Sequence, residues 1–117
     1  MNSLNFEQGD IVTANIPFSN MVGSKIRPLL VISNSDYNKR YADIVVLKVS
    51  SSKENPFPYN VDISQKDLAF GTLRNESTIM VDFPVTLEKE EVLVKIAHLS
   101  QSKLLAVKQK LKELYQL

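Results

Sequence analysis

Arg27 and Ser50 are the side chains in this sequence with the clearest chemistry to offer. Arg27-Pro28 opens the apolar run Leu29-Leu30-Val31-Ile32, and a second run, Ile44-Val45-Val46-Leu47, leads through Val49 to the hydroxyls of Ser50, Ser51 and Ser52. A planar guanidinium makes two charge-assisted hydrogen bonds to phosphate oxygens and stays cationic when desolvated. A serine hydroxyl beside it can orient a non-bridging oxygen. RNA supplies its own nucleophile, because the 2′-OH can attack the adjacent phosphorus, and DNA lacks that group. An arginine that binds the transition state better than the ground state therefore accelerates RNA cleavage with no metal cluster. A lone surface arginine is ordinarily just solvated, so the groups beside Arg27 decide whether it does chemistry.

Local stereochemistry places both residues. A residue before proline is pushed out of the helical region into extended backbone. Pro28 is tolerated as the first residue of a strand, where no ladder donor is required. The run 28–33 reads as a strand buried on both faces, and 44–49 as another. The polar, turn-rich stretch 34–43 between them is too short for a parallel crossover, so the two strands are antiparallel neighbours. With the hairpin tip between Asn38 and Lys39, paired residue numbers sum to 77, and Arg27 faces Ser50. A bulge would shift this register, in which case Ser51 takes the place of Ser50. The loops 17–26 and 50–58 then open at the same edge.

The rest of the chain supplies a small sheet. Period-two alternation predicts strands over 11–16, 59–63 and 77–83. Val85 and Leu87 extend the sheet past Pro84, and 92–96 forms one more short strand. Asp82 marks a partly solvent-facing strand. Residues 64–75, with Gly71 among them, read as irregular. The period then changes: Leu104, Val107, Leu111 and Leu114 fall at helical spacing with Leu105 beside them, after a cap at Ser100 or Ser102. Lys103, Lys108, Lys110 and Lys112 are its solvated face. The expected fold is mainly β with a C-terminal α-helix, a small antiparallel barrel or curled sheet forming one domain over 1–117.

Composition narrows the function classes. The 117 residues carry 14 basic and 13 acidic side chains, a net charge of +1. Nucleic-acid binding must therefore come from a local patch and not from a global field. There is no cysteine and one histidine, His98, which excludes disulfides, thiolate sites and a two-histidine zinc site within one chain. No metal or cofactor is expected. Residues 1–8 lack the basic-then-apolar pattern of a signal peptide, and no apolar run approaches a bilayer span. The expectation is a cytoplasmic protein without membrane contact.

Gly9-Asp10-Ile11-Val12, Pro17-Phe18, the run from Gly23-Ser24-Lys25-Ile26 into Arg27-Pro28-Leu29-Leu30-Val31-Ile32-Ser33, and Asp43-Ile44-Val45-Val46-Leu47-Lys48-Val49-Ser50-Ser51 resemble the MazF/PemK-type toxins. The Gly71 region, Ser77, Lys95-Ile96 and Leu99-Ser100 before a final helix fit as well, so the resemblance spans nearly the whole chain. Its most specific part is the glycine-containing loop running into Arg-Pro. It implies an SH3-like barrel with a C-terminal helix. It also implies the toxin of a type II toxin–antitoxin module, usually homodimeric, that cuts single-stranded RNA at short sequences without metal. The implied products are a 2′,3′-cyclic phosphate and a 5′-OH. The implied partners are RNA, a cognate antitoxin with a tail that folds over the toxin, and DNA by way of the antitoxin complex. The family's catalytic arginine maps onto Arg27. Its second catalytic residue, typically threonine, maps onto Ser50, which keeps the hydroxyl and loses the methyl that restrains the rotamer.

Around this pair, Phe18, Ser24, Lys25, Ser51, Phe57 and Ser77 are candidate substrate-binding residues. Phe18, Phe57 and Tyr59 offer rings that stack on unpaired bases, with core or interface packing as the other reading. Asp10 either closes a turn or serves the site, and His98 is structural or titrates near neutrality. Two other function classes compete: a gyrase-targeting toxin of the CcdB type, acting through helix contacts, and a non-catalytic RNA-binding module. Fold alone does not choose among them.

Overall fold

Leu29, Leu30 and Val31 are each fully buried, and they face opposite sides of their strand. Leu30 packs in one hydrophobic cluster, Leu29 and Val31 in a second. In the computed structural model, which describes residues 5–16, 25–51 and 57–117, this strand lies at the centre of the sheet. Burial of one such side chain contributes about 1.5–3 kcal/mol relative to leaving it in water, so the two-sided run fixes the strand's register.

The elements follow in the order β1 (Asp10–Ile16), β2 (Lys25–Val31), α1 (Ser35–Arg40), β3 (Asp43–Ser50), β4 (Val61–Ile63), β5 (Leu68–Gly71), β6 (Ser77–Glu88), β7 (Val92–Leu99) and α2 (Gln101–Tyr115). The strands form one seven-stranded sheet in the order β4-β6-β3-β2-β1-β7-β5, antiparallel at every pairing. Two register shifts between β1 and β7 add local twist, as bulges do. The sheet curls into a half-barrel. Val12, Ala14, Leu29, Val31, Ile44 and Val46 fill one side of the curl. The other side packs against α2 through Leu104, Val107, Leu111 and Leu114. Ser100 caps α2 by accepting the N–H of Lys103 at 3.2 Å, while Leu105 faces outward. No described helix is long and apolar enough to cross a membrane.

The mainly-β architecture with a terminal helix and the extension past Pro84 match the expectation, and three local readings are corrected. β2 begins at Lys25, so Pro28 is its fourth residue and not its first, and it pairs with Thr13. The stretch 34–43 is not only turn: it holds α1, because Asn34 caps it by accepting from Tyr37 N at 2.8 Å. Asn38, buried in that helix, donates to Phe6 O and Ser33 O at 3.0 Å each. The stretch 64–75 contains a single 3-10 turn, Gln65–Asp67, and then β5. β6 is one strand running through Pro84. Where β3 advances from Leu47 to Lys48, β6 runs from Pro84 back to Met80, so the proline sits at a ladder irregularity where its missing N–H costs nothing.

Candidate active site

β2 pairs β3 through Leu29↔Lys48, Leu30↔Leu47 and Val31↔Val46. Each pair sums to 77, the register deduced from the symmetric hairpin, even though α1 replaces the simple turn. Continued by two residues, it sets Arg27 opposite Ser50. The ladder to β3 stops at Leu29, however, whereas β2 remains paired with β1 back to Lys25. Pro28 stands at the point of separation with no N–H to give β3. The two strands therefore part there, and a cleft of about 840 Å³ opens between them.

Arg27 and Pro28 line one side of this cleft, Val49, Ser50 and Ser51 the other. Arg27 and Ser50 are half-buried. β6 brings in a third wall, because Thr78 pairs with Ser50 and the residues just before it arrive beside the end of β3. Among those, Arg74, Asn75 and Ser77 line the cleft. Ser77 is 4% exposed, and its hydroxyl donates to the Asn75 carbonyl at 2.9 Å. Thr13 of β1 and Ile96 of β7 also contribute.

Electrostatically the described residues of the cleft are of one sign. Its described lining includes Lys25, Arg27 and Arg74 and no carboxylate. In a chain of net charge +1 this is a local cationic patch, suited to an anion with several charges. Among the described residues no three His, Cys, Asp or Glu side chains gather as a metal site would require.

Of the residues singled out from the sequence, Lys25, Arg27, Ser50, Ser51 and Ser77 meet at this cleft. Phe57 is not part of its lining; its ring packs against Tyr59 at 5.5 Å. Phe18 and Ser24 lie outside the described residues. Asp10 takes the first of its two readings. It is 2% exposed, its Oδ2 accepts from Glu7 N at 2.8 Å, and it pairs with Lys95 at 3.0 Å and His98 at 2.7 Å. It is not among the cleft residues. His98 in turn stacks on Phe70, ring centroids 5.4 Å apart and 12° from parallel.

Sequence reasoning missed Thr13, Thr72, Arg74 and Asn75. For Thr72, Arg74 and Asn75 the available signal was their place between Gly71 and the strand beginning at Ser77. Using it required knowing that β6 neighbours β3, which local periodicity does not state.

A family model described as PemK-like, MazF-like toxin of type II toxin–antitoxin system matches residues 7–115. Endoribonuclease MazF of Staphylococcus epidermidis is 26% identical over 102 residues, covering 86% of this chain and 82% of that protein. An endoribonuclease from mycobacterial species superposes with a TM-score of 0.77 at 17% identity, covering 97% of this chain and 94% of that one. A mycobacterial endoribonuclease solved with its cognate antitoxin gives 0.74 at 18% identity, over 97% of this chain and 95% of that one. MazF from Deinococcus radiodurans gives 0.75 at 21% identity, over 98% and 100%. At these identities the solved structures speak to the fold.

Proposed function

The chain belongs to the PemK-like, MazF-like toxins of type II toxin–antitoxin systems, and we propose that it is an endoribonuclease that cuts single-stranded RNA in the cleft between β2 and β3 without a metal. The observation that carries this reading is the meeting of Arg27 and Ser50 at the parted ends of two paired strands, with Arg74 in the same cleft. The relative named endoribonuclease MazF supports the activity.

The reaction follows from the groups present. The 2′-oxygen of the substrate attacks phosphorus, the P–O5′ bond breaks, and its electron pair leaves on the 5′-oxygen. The proton lost from the 2′-OH is matched by one gained at the 5′-oxygen. Products are a 2′,3′-cyclic phosphate and a 5′-OH. Negative charge builds on the non-bridging oxygens at the midpoint, where Arg27 meets it with a bidentate contact and Ser50 with a hydroxyl donor. The described lining carries cations and hydroxyls but no carboxylate or imidazole. Lys25, Arg27 and Arg74 are assigned the charge stabilisation at phosphorus.

Short-sequence selectivity fits the same lining. The amide of Asn75 and the hydroxyls of Thr13 and Thr72 provide donors and acceptors for the edges of unstacked bases. A cognate antitoxin with an acidic segment would be drawn to the Lys25, Arg27 and Arg74 charges. A homodimer fits the exposed Ile26, Leu93 and Val94, apolar side chains that one chain leaves in water.

The deciding experiment incubates the purified protein and its Arg27→Ala variant with defined single-stranded RNAs in excess chelator. Cleavage with 2′,3′-cyclic ends, lost in the variant, is the expected result. No cleavage across a broad RNA panel, with inhibition of gyrase in its place, would sink the reading.

A further inference from the structure

We propose that Gln65, which is not among the cleft residues, is a positioning residue for the cleft: its side-chain amide clamps the loop that holds Arg74 against the bound phosphates. The proposal rests on the nucleic-acid reading of the cleft given above.

The clamp is a pair of hydrogen bonds from one side chain to two points of backbone. Gln65 Nε2 donates to the carbonyl of Gly71 at 3.0 Å, and its Oε1 accepts the N–H of Leu73 at 3.0 Å. Only a primary amide has donor and acceptor side by side for this. Glutamate lacks the donor, and methionine, of the same length, has no donor and only a weak thioether acceptor. Asparagine has both but is one methylene too short.

Gln65 itself is held fast. In its 3-10 turn, Asp67 Oδ2 accepts the N–H of Ser64 at 2.9 Å, and the Asp67 carbonyl accepts the N–H of Ser100 at 2.8 Å. Lys103 Nζ lies 3.7 Å from Asp67 Oδ1. The turn is thus tied to the junction of β7 and α2, which is part of the core. Rigidity passes from that junction through Gln65 to residues 71–73.

Beyond the clamp, other contacts anchor the two ends of the loop. Thr72 N donates to Ile96 O at 3.2 Å, Leu73 is buried, and Ser77 holds the Asn75 carbonyl. Arg74 sits between these anchors, exposed and in the cleft. An arginine on a loose loop pays ordering entropy each time it binds phosphate, and a preset loop avoids that cost. Gln65 is exposed, so replacing it leaves the core intact and acts on the loop.

The test measures binding of a fluorescein-labelled, random-sequence, all-2′-deoxy octanucleotide pool, which the 2′-OH mechanism cannot cut. Wild type, Gln65→Met, Arg74→Ala and the double variant are titrated over a range of salt, with unfolding midpoints recorded beside them. The expected result is a roughly fivefold weaker affinity in Gln65→Met. Its log–log salt slope should fall by about 0.7, the value for one lost contact to a single-strand phosphate. Arg74→Ala should give the same slope, and the double variant should match Arg74→Ala. A merely stabilising role for Gln65 would lower the unfolding midpoint and leave the slope alone. The proposal is overturned by an unchanged slope, by full additivity of the two substitutions, or by failure of the wild type to bind the pool. The ribonuclease reading is judged separately, by chelator-resistant RNA cleavage and its loss in Arg27→Ala. A protein that binds the pool but cuts no RNA would sink the enzyme and still decide the clamp.

Discussion

The carboxylate of Asp10 lies 2.7 Å from Nδ1 of His98, joining the first residue of β1 to the penultimate residue of β7. Its other oxygen holds Lys95 Nζ at 3.0 Å and the N–H of Glu7 at 2.8 Å. With 2% exposure, Asp10 is a buried anion whose partners are all supplied by the fold. His98 and Lys95 each keep part of their side chain in water, 22% and 29% exposed, so the pairs are screened on one side.

Asp10→Asn should therefore destabilise the protein by about 2 kcal/mol, since a neutral amide weakens the ion pair to Lys95 and offers a donor where acceptors are needed. Urea unfolding should show a lower midpoint at an unchanged slope. Because Asp10 lies outside the cleft lining, kcat of the folded variant should stay within about threefold of wild type, a factor worth less than one hydrogen bond.

Arg27→Ala should lower kcat/KM for RNA by at least about a hundredfold, the scale of losing one charge-stabilising donor. Arg27→Lys should recover little of it. An ammonium keeps the charge but not the planar fork that contacts two phosphate oxygens at once. Single-turnover cleavage of one RNA by all three proteins makes the comparison.

Ser50→Ala removes a hydroxyl from the wall facing Arg27 and should cost about tenfold or more in kcat. Ser50→Thr should match or exceed wild type. The added methyl limits the χ1 rotamers and holds the hydroxyl in fewer orientations. An Ala variant as fast as wild type would show that the hydroxyl plays no part in the reaction.

Gly71→Ala should be among the most damaging single substitutions. Gly71 has φ +94°, and a Cβ there would come within 2.3 Å of Ile96 O and 2.4 Å of Ala97 Cα. Both are backbone atoms, so β5 would have to part from β7. The cost should exceed about 2 kcal/mol, combining left-handed backbone strain with the clash. The thermal midpoint should drop, and the loop bearing Arg74 should lose protection in hydrogen exchange.

The half of the site built by neighbouring strands was legible in the sequence. Pro28 fixed the backbone of Arg27, the apolar runs 28–33 and 44–49 could bury their faces only in one register, and the short connection required them to be antiparallel. Those constraints brought Arg27 and Ser50 together even though α1 was read as turn. That pairing is local, so composition and spacing suffice to deduce it.

The other half depended on tertiary structure. Arg74 and Asn75 reach the cleft because β6 lies beside β3, while Gly71 lets β5 close against β7. Strand order in a sheet is set by the summed burial of many side chains from distant segments, and no stretch of ten or fifteen residues records it. The opening of the cleft was equally hidden, since Pro28 can part β2 from β3 only because β1 holds β2 on its other edge. Local sequence was enough to bring Arg27 and Ser50 to one edge of the sheet. Only the folded sheet opened a cleft between Arg27 and Ser50 and brought Arg74 into it, because strand order is a sum over distant contacts.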